Sequence, residues 1–423
     1  MRVDDLRGRR VALLGLGIDV RAALPAIVAA GPSDLVVVDD SLSTPEPDGL
    51  RVVSLAAATR DADILVRSPG FPRYLEPIVD AGARGTTMTT PVDLWVGSRT
   101  GSQRIVMVTG TKGKSTTTDL IGHLATRAGL AVGVAGNLGI PVFSDDWAHD
   151  APIVVIEVSS YQASDLHHAP EIAVLTSLAE DHLDWHGSYD RYRADKLRVV
   201  GNDGGTATRV FVPRAESTAI AALGMIGGIE PDLVDVPDHD AHLPHHRVQN
   251  AALAAAVVGA LGGTGIGDAE ILEAAERFLP GRLATCAGPG DGMWIDDALA
   301  TNPAAAAAGL AWARSLDRPT VVLLGGADRG VSRTPLQDEI ARWPTGRIHA
   351  VTLPDNGRAL ADACGITVIG AAATVAEAVA LAAEALPPGG TVMFSPSAPT
   401  PPAAGNWKLR SDAFRTAVAT LGS

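Results

Sequence analysis

The sequence predicts an α/β protein of three domains with mostly parallel sheets, and three observations support this prediction. The chain has 423 residues, which at roughly 150 residues per domain corresponds to about three domains. Short apolar strands alternate with Ala-rich helical segments, as in parallel sheets covered by helices. Three strands run directly into glycine turns, at Gly15, Gly110 and Gly325. We therefore expect domains at residues 1–98, 99–279 and 280–423.

Composition narrows the functional class. The formal net charge of −14 argues against a nucleic-acid-binding protein. Cys286 and Cys364 are too few for a disulfide framework or a thiolate metal site, which favours a reducing compartment. The apolar run at residues 11–18 is too short to cross a membrane. We expect a cytoplasmic protein without a membrane partner.

The N-terminal domain begins with a βαβ pattern. A strand at residues 11–14 enters a glycine turn, and an Ala-rich helical segment leads to a second strand at residues 35–38 that ends in Asp39. A further short strand is expected at residues 62–66. An NAD-dependent enzyme is a weak alternative, because Val20 stands where G-x-G-x-x-G needs its third glycine.

The central domain opens with a phosphate-binding pattern. A polar stretch at residues 97–103 is typical of a linker, and a strand at residues 105–108 follows it. The next residues lead into a helical pattern from Asp119, and they are Gly110, Thr111, Lys112, Gly113, Lys114, Ser115 and Thr116. Glycines let the backbone wrap phosphate oxygens, Lys114 supplies a positive charge, and the Ser115 or Thr116 hydroxyl can reach Mg²⁺. The pattern predicts ATP binding.

Acidic and histidine residues follow two later strands. A strand at residues 153–156 ends in Glu157, which is well placed as a Mg²⁺ ligand. A strand at residues 172–178 leads into the segment 180–187, which contains His182. This segment suits metal or phosphate chemistry, and a solvated acidic turn would look similar. Ser188 is expected to cap a helix that carries Lys196, whose ordinary alternative role is a salt bridge with Asp195.

Lysine is rare in this chain. Of its 34 basic residues, four are lysines: Lys112, Lys114, Lys196 and Lys408. A sequence that uses arginine for nearly every cation is expected to keep lysine where arginine cannot replace it.

Five motifs in order resemble the Mur ligases, and within them the branch that joins glutamate to UDP-N-acetylmuramoyl-L-alanine in peptidoglycan synthesis. They are Gly110-Thr-Lys-Gly-Lys-Ser-Thr116, Gly136-Asn-Leu-Gly-Ile-Pro141, Glu157-Val-Ser-Ser-Tyr-Gln162, Asp181-His-Leu-Asp184 and Tyr192-Arg-Ala-Asp-Lys196. The resemblance implies a UDP-binding Rossmann-like domain, a P-loop ATPase-type central domain and a Rossmann-like C-terminal domain. It also implies a monomer, and a reaction through an acyl phosphate.

The resemblance further assigns residues to roles. Lys114 stabilises the transferred phosphate, Glu157 with Ser115 or Thr116 holds one Mg²⁺, and His182 with Glu157 holds a second. Lys196 matches the family's carbamylated lysine, a modification that needs a neutral primary amine. The remaining assignments are Gly15, Asp39, Asn137 and Ser159 for the UDP-sugar, Asn250, Arg282 and Asp297 for the nucleotide, and Thr301, Arg329, Thr400 and Trp407 for the amino acid.

The C-terminal domain departs from the family pattern. Leu299 stands where a lysine is usual, Arg247 where an asparagine often contacts nucleotide, and Arg329 where a lysine binds the glutamate side chain. The family's Ser-Pro-Ala-Cys-Ala-Ser run becomes Ser395-Pro-Ser-Ala-Pro-Thr400. Either the pocket has drifted and still takes D-glutamate, or it has been rebuilt for L-glutamate, as in a branch with similar altered segments. L-glutamate is slightly favoured.

Two other functions compete. Folylpolyglutamate synthases share the phosphate loop and the carbamylated lysine, but they lack a Rossmann-like domain before the loop. A degenerate nucleotide-binding regulator would keep the fold without turnover, yet Lys114, Glu157, His182 and Lys196 are all present.

Overall fold

The computed structural model describes residues 1–39, 50–99, 101–224, 226, 229–240, 243–277, 280–328 and 330–421. The chain forms two compact units, Met1–His239 with His245–Ala275, and Asp240–Pro244 with Glu276–Ser423. Among the described residues, the first unit contains a five-stranded sheet, a six-stranded sheet and a two-stranded sheet, and the second unit contains a six-stranded sheet. The domain boundaries at 98/99 and 279/280 stay predictions, and Leu279 lies outside the described residues.

The strands are β1 Arg10–Leu14, β2 Asp34–Val38, β3 Arg51–Val52, β4 Ile64–Arg67, β5 Thr87–Thr89, β6 Arg104–Thr109, β7 Val132–Gly136, β8 Ile153–Glu157, β9 Ile172–Leu175, β10 Gly201–Asn202, β11 Gly205–Thr206, β12 Arg209–Pro213, β13 Asp232–Val234, β14 Ala284–Cys286, β15 Met293–Asp296, β16 Thr320–Leu324, β17 Ile348–Thr352, β18 Thr367–Ala371 and β19 Thr391–Phe394.

The helices are α1 Ile18–Ala29, α2 Leu55–Asp61, α3 Glu76–Ala83, α4 Pro91–Arg99, α5 Lys114–Arg127, α6 Ser160–Ala163, α7 Leu183–His186, α8 Tyr189–Leu197, α9 Ser217–Gly224, α10 His245–Ala260, α11 Asp268–Ala275, α12 Pro303–Ser315, α13 Thr334–Ile340, α14 Gly357–Cys364, α15 Val375–Ala385 and α16 Trp407–Leu421. None of the described helices combines the length and the apolar character needed to cross a membrane.

The first sheet is parallel with the order β3-β2-β1-β4-β5. The predicted βαβ unit is confirmed, since β1 pairs in parallel with β2 and α1 lies between them in the chain. The strand expected at residues 62–66 instead spans Ile64–Arg67. Ala62 closes α2, because its N–H donates to the Ala58 carbonyl.

The second sheet is parallel with the order β13-β12-β9-β6-β8-β7, so β6 lies between β9 and β8. The strand expected at residues 172–178 ends at Leu175, because the Thr176 hydroxyl turns to the Thr109 and Lys112 carbonyls. The linker expected at residues 97–103 is wrong for its first residues, since α4 continues to Arg99 and its residues 91–97 are all buried.

Arg67, the last residue of β4, connects the first sheet to the segment that follows α6 within the first unit. It is fully buried and pairs with Asp165, the Nε–Oδ2 distance being 2.8 Å. Its guanidinium also donates to the Tyr161 carbonyl and to Ser164 Oγ, and it lies 5.2 Å from the Trp185 ring centre. A buried charge needs such a full set of partners, and this set fixes the position of the chain between β4 and α3.

The second unit has the strand order β14-β15-β19-β16-β17-β18, with only the β14–β15 pair antiparallel among the described strands. The strand predicted at residues 320–324 is confirmed as β16. Apolar clusters fill both faces of this sheet. The carboxyl ends of β15, β19 and β16 lie side by side, which is where parallel α/β sheets usually bind ligands.

Candidate active site

The phosphate loop is shaped by two glycines with left-handed backbone angles. It joins β6 to α5, with φ of 148° at Gly110 and 88° at Gly113. A Cβ atom at Gly113 would lie 2.6 Å from Asn250 Oδ1, so any other residue would have to displace the Asn250 amide as well as adopt the positive φ. The same contact places Asn250, on α10, against the loop. The N-terminal N–H groups of α5 therefore face an open, glycine-lined turn suited to an anion.

Two lysines converge on one carbonyl of the loop. Lys114 Nζ and Lys196 Nζ each donate to the Gly110 carbonyl at 2.9 Å, and Lys114 also donates to the Thr111 carbonyl. Lys196 is fully buried, and burial together with the nearby Lys114 charge holds its pKa well below the usual value. The Lys196 side chain is therefore stabilised as a neutral amine.

The salt bridge between Lys196 and Asp195 is not formed. Asp195 Oδ2 instead accepts from Tyr74 Oη at 2.5 Å and lies 2.7 Å from His186 Nδ1. Consecutive helix residues point in different directions, so Asp195 faces these two rings while Lys196 faces the loop. The capping prediction is confirmed, because Ser188 Oγ accepts from the Arg191 N–H at the start of α8.

Glu157 carries a buried oxygen without a partner. Its Oε1 accepts from Asn137 Nδ2 at 2.8 Å, whereas Oε2 is buried and has no hydrogen-bond partner among the described residues. An unpaired carboxylate oxygen in a buried position fits a cation ligand. Thr116 is also buried, at the start of α5. Within the described residues no three His, Cys, Asp or Glu side chains cluster as a metal site, so a cation here needs hydroxyl and phosphate oxygens as well.

His182 and Asp181 lie at the edge of the same site. His182 has φ of 51°, and its ring centre is 4.9 Å from that of Tyr161. Partial burial and the charges of Lys114 and Lys112 lower the pKa of His182, which favours the neutral ring that can bind a metal. Burial alone would raise the pKa of Asp181, but the charge of Lys112 contributes to lowering it overall. The alternative of a solvated acidic turn applies to Glu180 and Asp184, because both side chains are exposed. It does not apply to Asp181, which is half-buried.

A cavity of about 120 Å³ brings these groups together. It is lined by Thr111, Lys114, Asn137, Ser159, Ser160, Tyr161, Asp181, His182, Tyr192 and Lys196. Tyr192 had no predicted role, although this residue lies one helical turn before Lys196. Its hydroxyl is 2.8 Å from Thr111 Oγ1. That spacing was a usable signal, because residues four apart share a helix face.

A second cavity, of about 240 Å³, shares Asn137 with the first. It is lined by Gly17, Ile18, Asp19, Ser68, Pro69, Gly70, Gly136, Asn137, Gly139 and Pro141. Gly15 and Asp39 lie beside its lining, where Asp39 Oδ2 accepts from the Leu16 N–H at 2.8 Å and shapes the turn. Asp19 belongs to this lining; its Oδ2 accepts from Gln162 Nε2, and burial raises its pKa.

The remaining residues predicted to bind nucleotide or amino acid lie in the second unit. Of those that the structure describes, one lines a small cavity of this unit. Thr301 lines a small cavity with Arg333 and Ser397, and Arg329 lies outside the described residues. Trp407 packs over Gly281, whose Cβ position lies 2.9 Å from Trp407 Cζ3.

Other predicted residues of this unit lie outside that cavity. Thr400 is half-buried after the β19 loop, and Arg282 immediately precedes Leu283 before β14. Asp297 is buried with its carboxylate accepting from Ser395 Oγ at 2.9 Å, and burial raises its pKa to about 8.

The residues that depart from the family pattern contact other residues of the structure. The apolar side chain of Leu299 lies with the Trp407 ring against Gly281, with Leu299 Cγ 3.5 Å from the Gly281 Cβ position. Arg247 is buried, and its Nε donates to the Ala275 carbonyl at the end of α11. Lys408 Nζ lies 5.9 Å from the Trp407 ring centre, a weak cation–π contact.

Comparison with known proteins decides the family. Residues 108–220 match the Mur ligase middle domain, and residues 281–398 match the Mur ligase glutamate ligase domain. The chain belongs to the Mur ligase family. It is an ATP-dependent ligase that joins an acid to an amino acid, and the NAD-dependent and regulator readings are set aside.

Full-length relatives agree with this assignment. The UDP-N-acetylmuramoyl-L-alanine--L-glutamate ligase of Micromonospora sp. is 36% identical over 460 residues, with 99% of this chain and 98% of the relative covered. The UDP-N-acetylmuramoylalanine--D-glutamate ligase of Sphingopyxis alaskensis is 30% identical over 437 residues, covering 98% of each chain.

Solved structures confirm the fold. The MurF ligase of Thermotoga maritima, in complex with ADP, has a TM-score of 0.58 at 14% identity and covers 99% of this chain and 97% of its own. The MurC ligase of the same organism has a TM-score of 0.57 at 18% identity, covering 97% and 99%. FolC of E. coli has a TM-score of 0.54 at 18% identity and covers 78% of this chain and 92% of its own.

Proposed function

We propose that this chain joins glutamate to UDP-N-acetylmuramoyl-L-alanine at the expense of ATP. The observation that carries the proposal is the convergence of Lys114 and Lys196 on the Gly110 carbonyl, beside the unpaired oxygen of Glu157. Two relatives named for this activity align over 99% of the chain. The site therefore matches the chemistry of phosphoryl transfer to a carboxylate.

The three ligands are assigned to three groups of residues. ATP is bound by the loop residues 110–116, where Asn250 packs, and by Arg282 and Asp297. The UDP-sugar occupies the 240 Å³ cavity, with Gly15, Asp39, Asn137 and Ser159 around it. Glutamate is bound by Thr301, Arg329, Thr400 and Trp407.

The reaction has two steps. In the first step a carboxylate oxygen of the alanyl substrate attacks the γ-phosphorus of ATP. The bond between this phosphorus and the oxygen that bridges to the β-phosphate breaks, so the products are an acyl phosphate and ADP. The amine of glutamate then attacks the carbonyl carbon, loses a proton, and expels phosphate as the amide forms. Lys114 directs its N–H groups at the loop, where negative charge gathers in the first step. Positioning and electrostatic stabilisation account for most of such catalysis.

The residues present fit Mg²⁺. Glu157 with Ser115 or Thr116 would hold one ion, and His182 with Glu157 a second. When bound, Mg²⁺ neutralises charge on the phosphate oxygens. Asn137 orients Glu157 by its hydrogen bond to Oε1, which leaves Oε2 for the cation.

Lys196 is proposed to be carbamylated. Its neutral amine adds to CO₂, forming an N–C bond and releasing one proton, and the resulting carbamate is an anion beside the loop. The lowered pKa of Lys196 supports this, because a protonated amine has no lone pair for the addition. Arginine is always protonated in proteins, so it cannot take this role.

We assign L-glutamate as the amino acid. Seven relatives at 31–36% identity carry L-glutamate in their names, and one at 30% carries D-glutamate. The altered segments 325–330 and 395–400 point the same way, since inverting a stereocentre while holding two carboxylates requires at least one anchor to move.

The test is ADP release with each enantiomer of glutamate in the presence of UDP-N-acetylmuramoyl-L-alanine. Controls omit one substrate at a time. We expect release with L-glutamate that depends on all three substrates. Release with D-glutamate alone would reverse the stereochemical assignment, and release with neither enantiomer would overturn the proposed function.

A further inference from the structure

The second unit contains a small cavity at the carboxyl ends of its central strands. Its wall comes from the loops that follow β15, β16 and β19, and from the start of α14. Its volume is about 20 Å³, which admits one or two water-sized groups rather than a whole side chain. A ligand can therefore place only a head group there.

Ser397 is a buried hydroxyl without a partner in this wall. It is 2% exposed, and its Oγ has no hydrogen-bond partner within the part of the chain that the structure describes. Its φ of 59° is a left-handed conformation that serine seldom adopts. Both features cost stability in the ligand-free protein, since a buried hydroxyl that makes no hydrogen bond is penalised.

The loop that carries Ser397 is fastened to its neighbour. The Gly325 N–H donates to the Pro396 carbonyl at 3.0 Å, and the Ala327 N–H donates to the Pro399 carbonyl at 2.9 Å. Gly326 allows this approach, because a Cβ there would lie 3.1 Å from the Ala398 carbonyl oxygen. The Ser397 hydroxyl is thus held on a rigid wall.

The lining combines apolar side chains with a few polar ones, and apart from Asp328 each of these polar side chains can donate a hydrogen bond. Asn356 Oδ1 accepts a hydrogen bond from the Gly326 N–H at 3.1 Å. The part of this side-chain amide that remains for a ligand is its NH₂ group, a donor. Asp328 is occupied by Arg333 Nη2 and by the Gly330 N–H. Thr301 adds a further hydroxyl to the lining. A small cavity with these donors suits an acceptor, and a carboxylate is the acceptor an acidic amino acid offers.

We propose that Ser397 Oγ donates a hydrogen bond to a carboxylate of the incoming glutamate and helps to select that substrate. The inference rests on the proposed function and adds to it a residue that the family's pattern does not supply, because the family has alanine at this position. The hydroxyl that is costly in the free protein becomes satisfied when the amino acid binds.

The experiment compares Ser397→Ala with the matched control Thr391→Val in the full-length enzyme. Thr391 is also fully buried on β19, and its Oγ1 likewise has no partner among the described residues, but it does not line the cavity. KM and kcat are measured for each substrate, together with the urea midpoint of unfolding. Ser397→Gly, which suits the positive φ, is the second variant if the alanine variant does not fold.

We expect Ser397→Ala to raise KM for glutamate about 10- to 100-fold, the range for loss of one hydrogen bond to a charged group. Its KM for ATP and for the UDP-sugar stays unchanged, and its unfolding midpoint does not fall. Thr391→Val leaves all three KM values unchanged. An unchanged KM for glutamate in the Ser397 variants overturns the inference and leaves the proposed function standing. Absence of glutamate-dependent turnover in the unmodified enzyme overturns both.

Discussion

At the scale of residues, the rarity of lysine is explained by where the lysines lie. Lys114 and Lys196 share the Gly110 carbonyl, and Lys112 Nζ lies 3.4 Å from Asp181 Oδ2. Lys408 lies over Trp407. The roles proposed for Lys114 and Lys196 call for a compact amine, since a guanidinium is larger and is never neutral.

Glu157 provides the first prediction. Glu157→Gln keeps an oxygen that can accept from Asn137 but removes the charge of the unpaired oxygen. The Mg²⁺ concentration for half-maximal activity should therefore rise at least about 10-fold, given the weight of carboxylate charge in hard-cation sites. Magnesium titrations of ADP release measure this. Glu171→Gln is the control, because Glu171 pairs with Arg104 at the surface. An unchanged magnesium requirement would remove Glu157 from the metal site.

Asp297 provides a prediction about pH. Its pKa is raised from 3.8 to about 8 by burial, so the folded protein keeps a proton there that the unfolded chain loses above pH 4. This contribution to stability is complete below the unfolded pKa and is lost as pH rises towards 8.

The comparison is urea unfolding of the Asp297→Asn variant at pH 5 to 8. The unmodified protein should lose stability relative to the variant as pH rises, since asparagine does not titrate. Asp317→Asn, at an exposed position, should show no such trend. A constant difference between Asp297→Asn and the unmodified protein across this range would contradict the raised pKa.

Several site contacts could not be predicted from the sequence. Motif spacing identified Lys114, Glu157 and Lys196, because each lies at a strand end or on a short helix whose pattern is local. The bonds from Arg67 to Asp165 and from Tyr74 to Asp195 join residues 98 and 121 positions apart. No local pattern specifies such pairs, so the sequence alone left open the alternative of a Lys196–Asp195 salt bridge, which the structure does not form.

At the scale of elements, the phosphate loop depends on the fit between α5 and α10. Gly113 begins the helix in a left-handed conformation and faces Asn250 on α10. The strand–loop–helix order was predictable from its glycines. The early end of β9 was not, because it arises from the Thr176 hydroxyl bonding to the loop.

Gly113→Ala tests this element, with Gly129→Ala as its matched control. Both glycines have positive φ, 88° and 76°, so both variants carry a similar conformational penalty of about 1–2 kcal/mol. Only at Gly113 does the added Cβ meet another residue, whereas Gly129 has open space. We expect ATP-dependent turnover to fall at least about 100-fold in Gly113→Ala, in line with the sensitivity of catalysis to small displacements, and little in Gly129→Ala. Equal losses in both would show that strain alone matters.

At the scale of the whole molecule, the sequence predicted the α/β class and the family, and the structure and the full-length relatives confirm both. Strands and glycine turns are specified locally, so their order could be predicted. The amino-acid site was harder, because Ser397 is an ordinary residue in the sequence and becomes notable only through its burial and its unpaired hydroxyl.

The central claim is that the substrate carboxylate attacks ATP to give an acyl phosphate. The most direct measurement uses UDP-N-acetylmuramoyl-L-alanine labelled with ¹⁸O in its alanyl carboxylate, with ATP and glutamate, and determines the mass of the released phosphate. The proposed mechanism predicts one ¹⁸O atom in each phosphate, because the oxygen that attacks phosphorus leaves with it when the amide forms. Phosphate released without ¹⁸O during amide formation would contradict it.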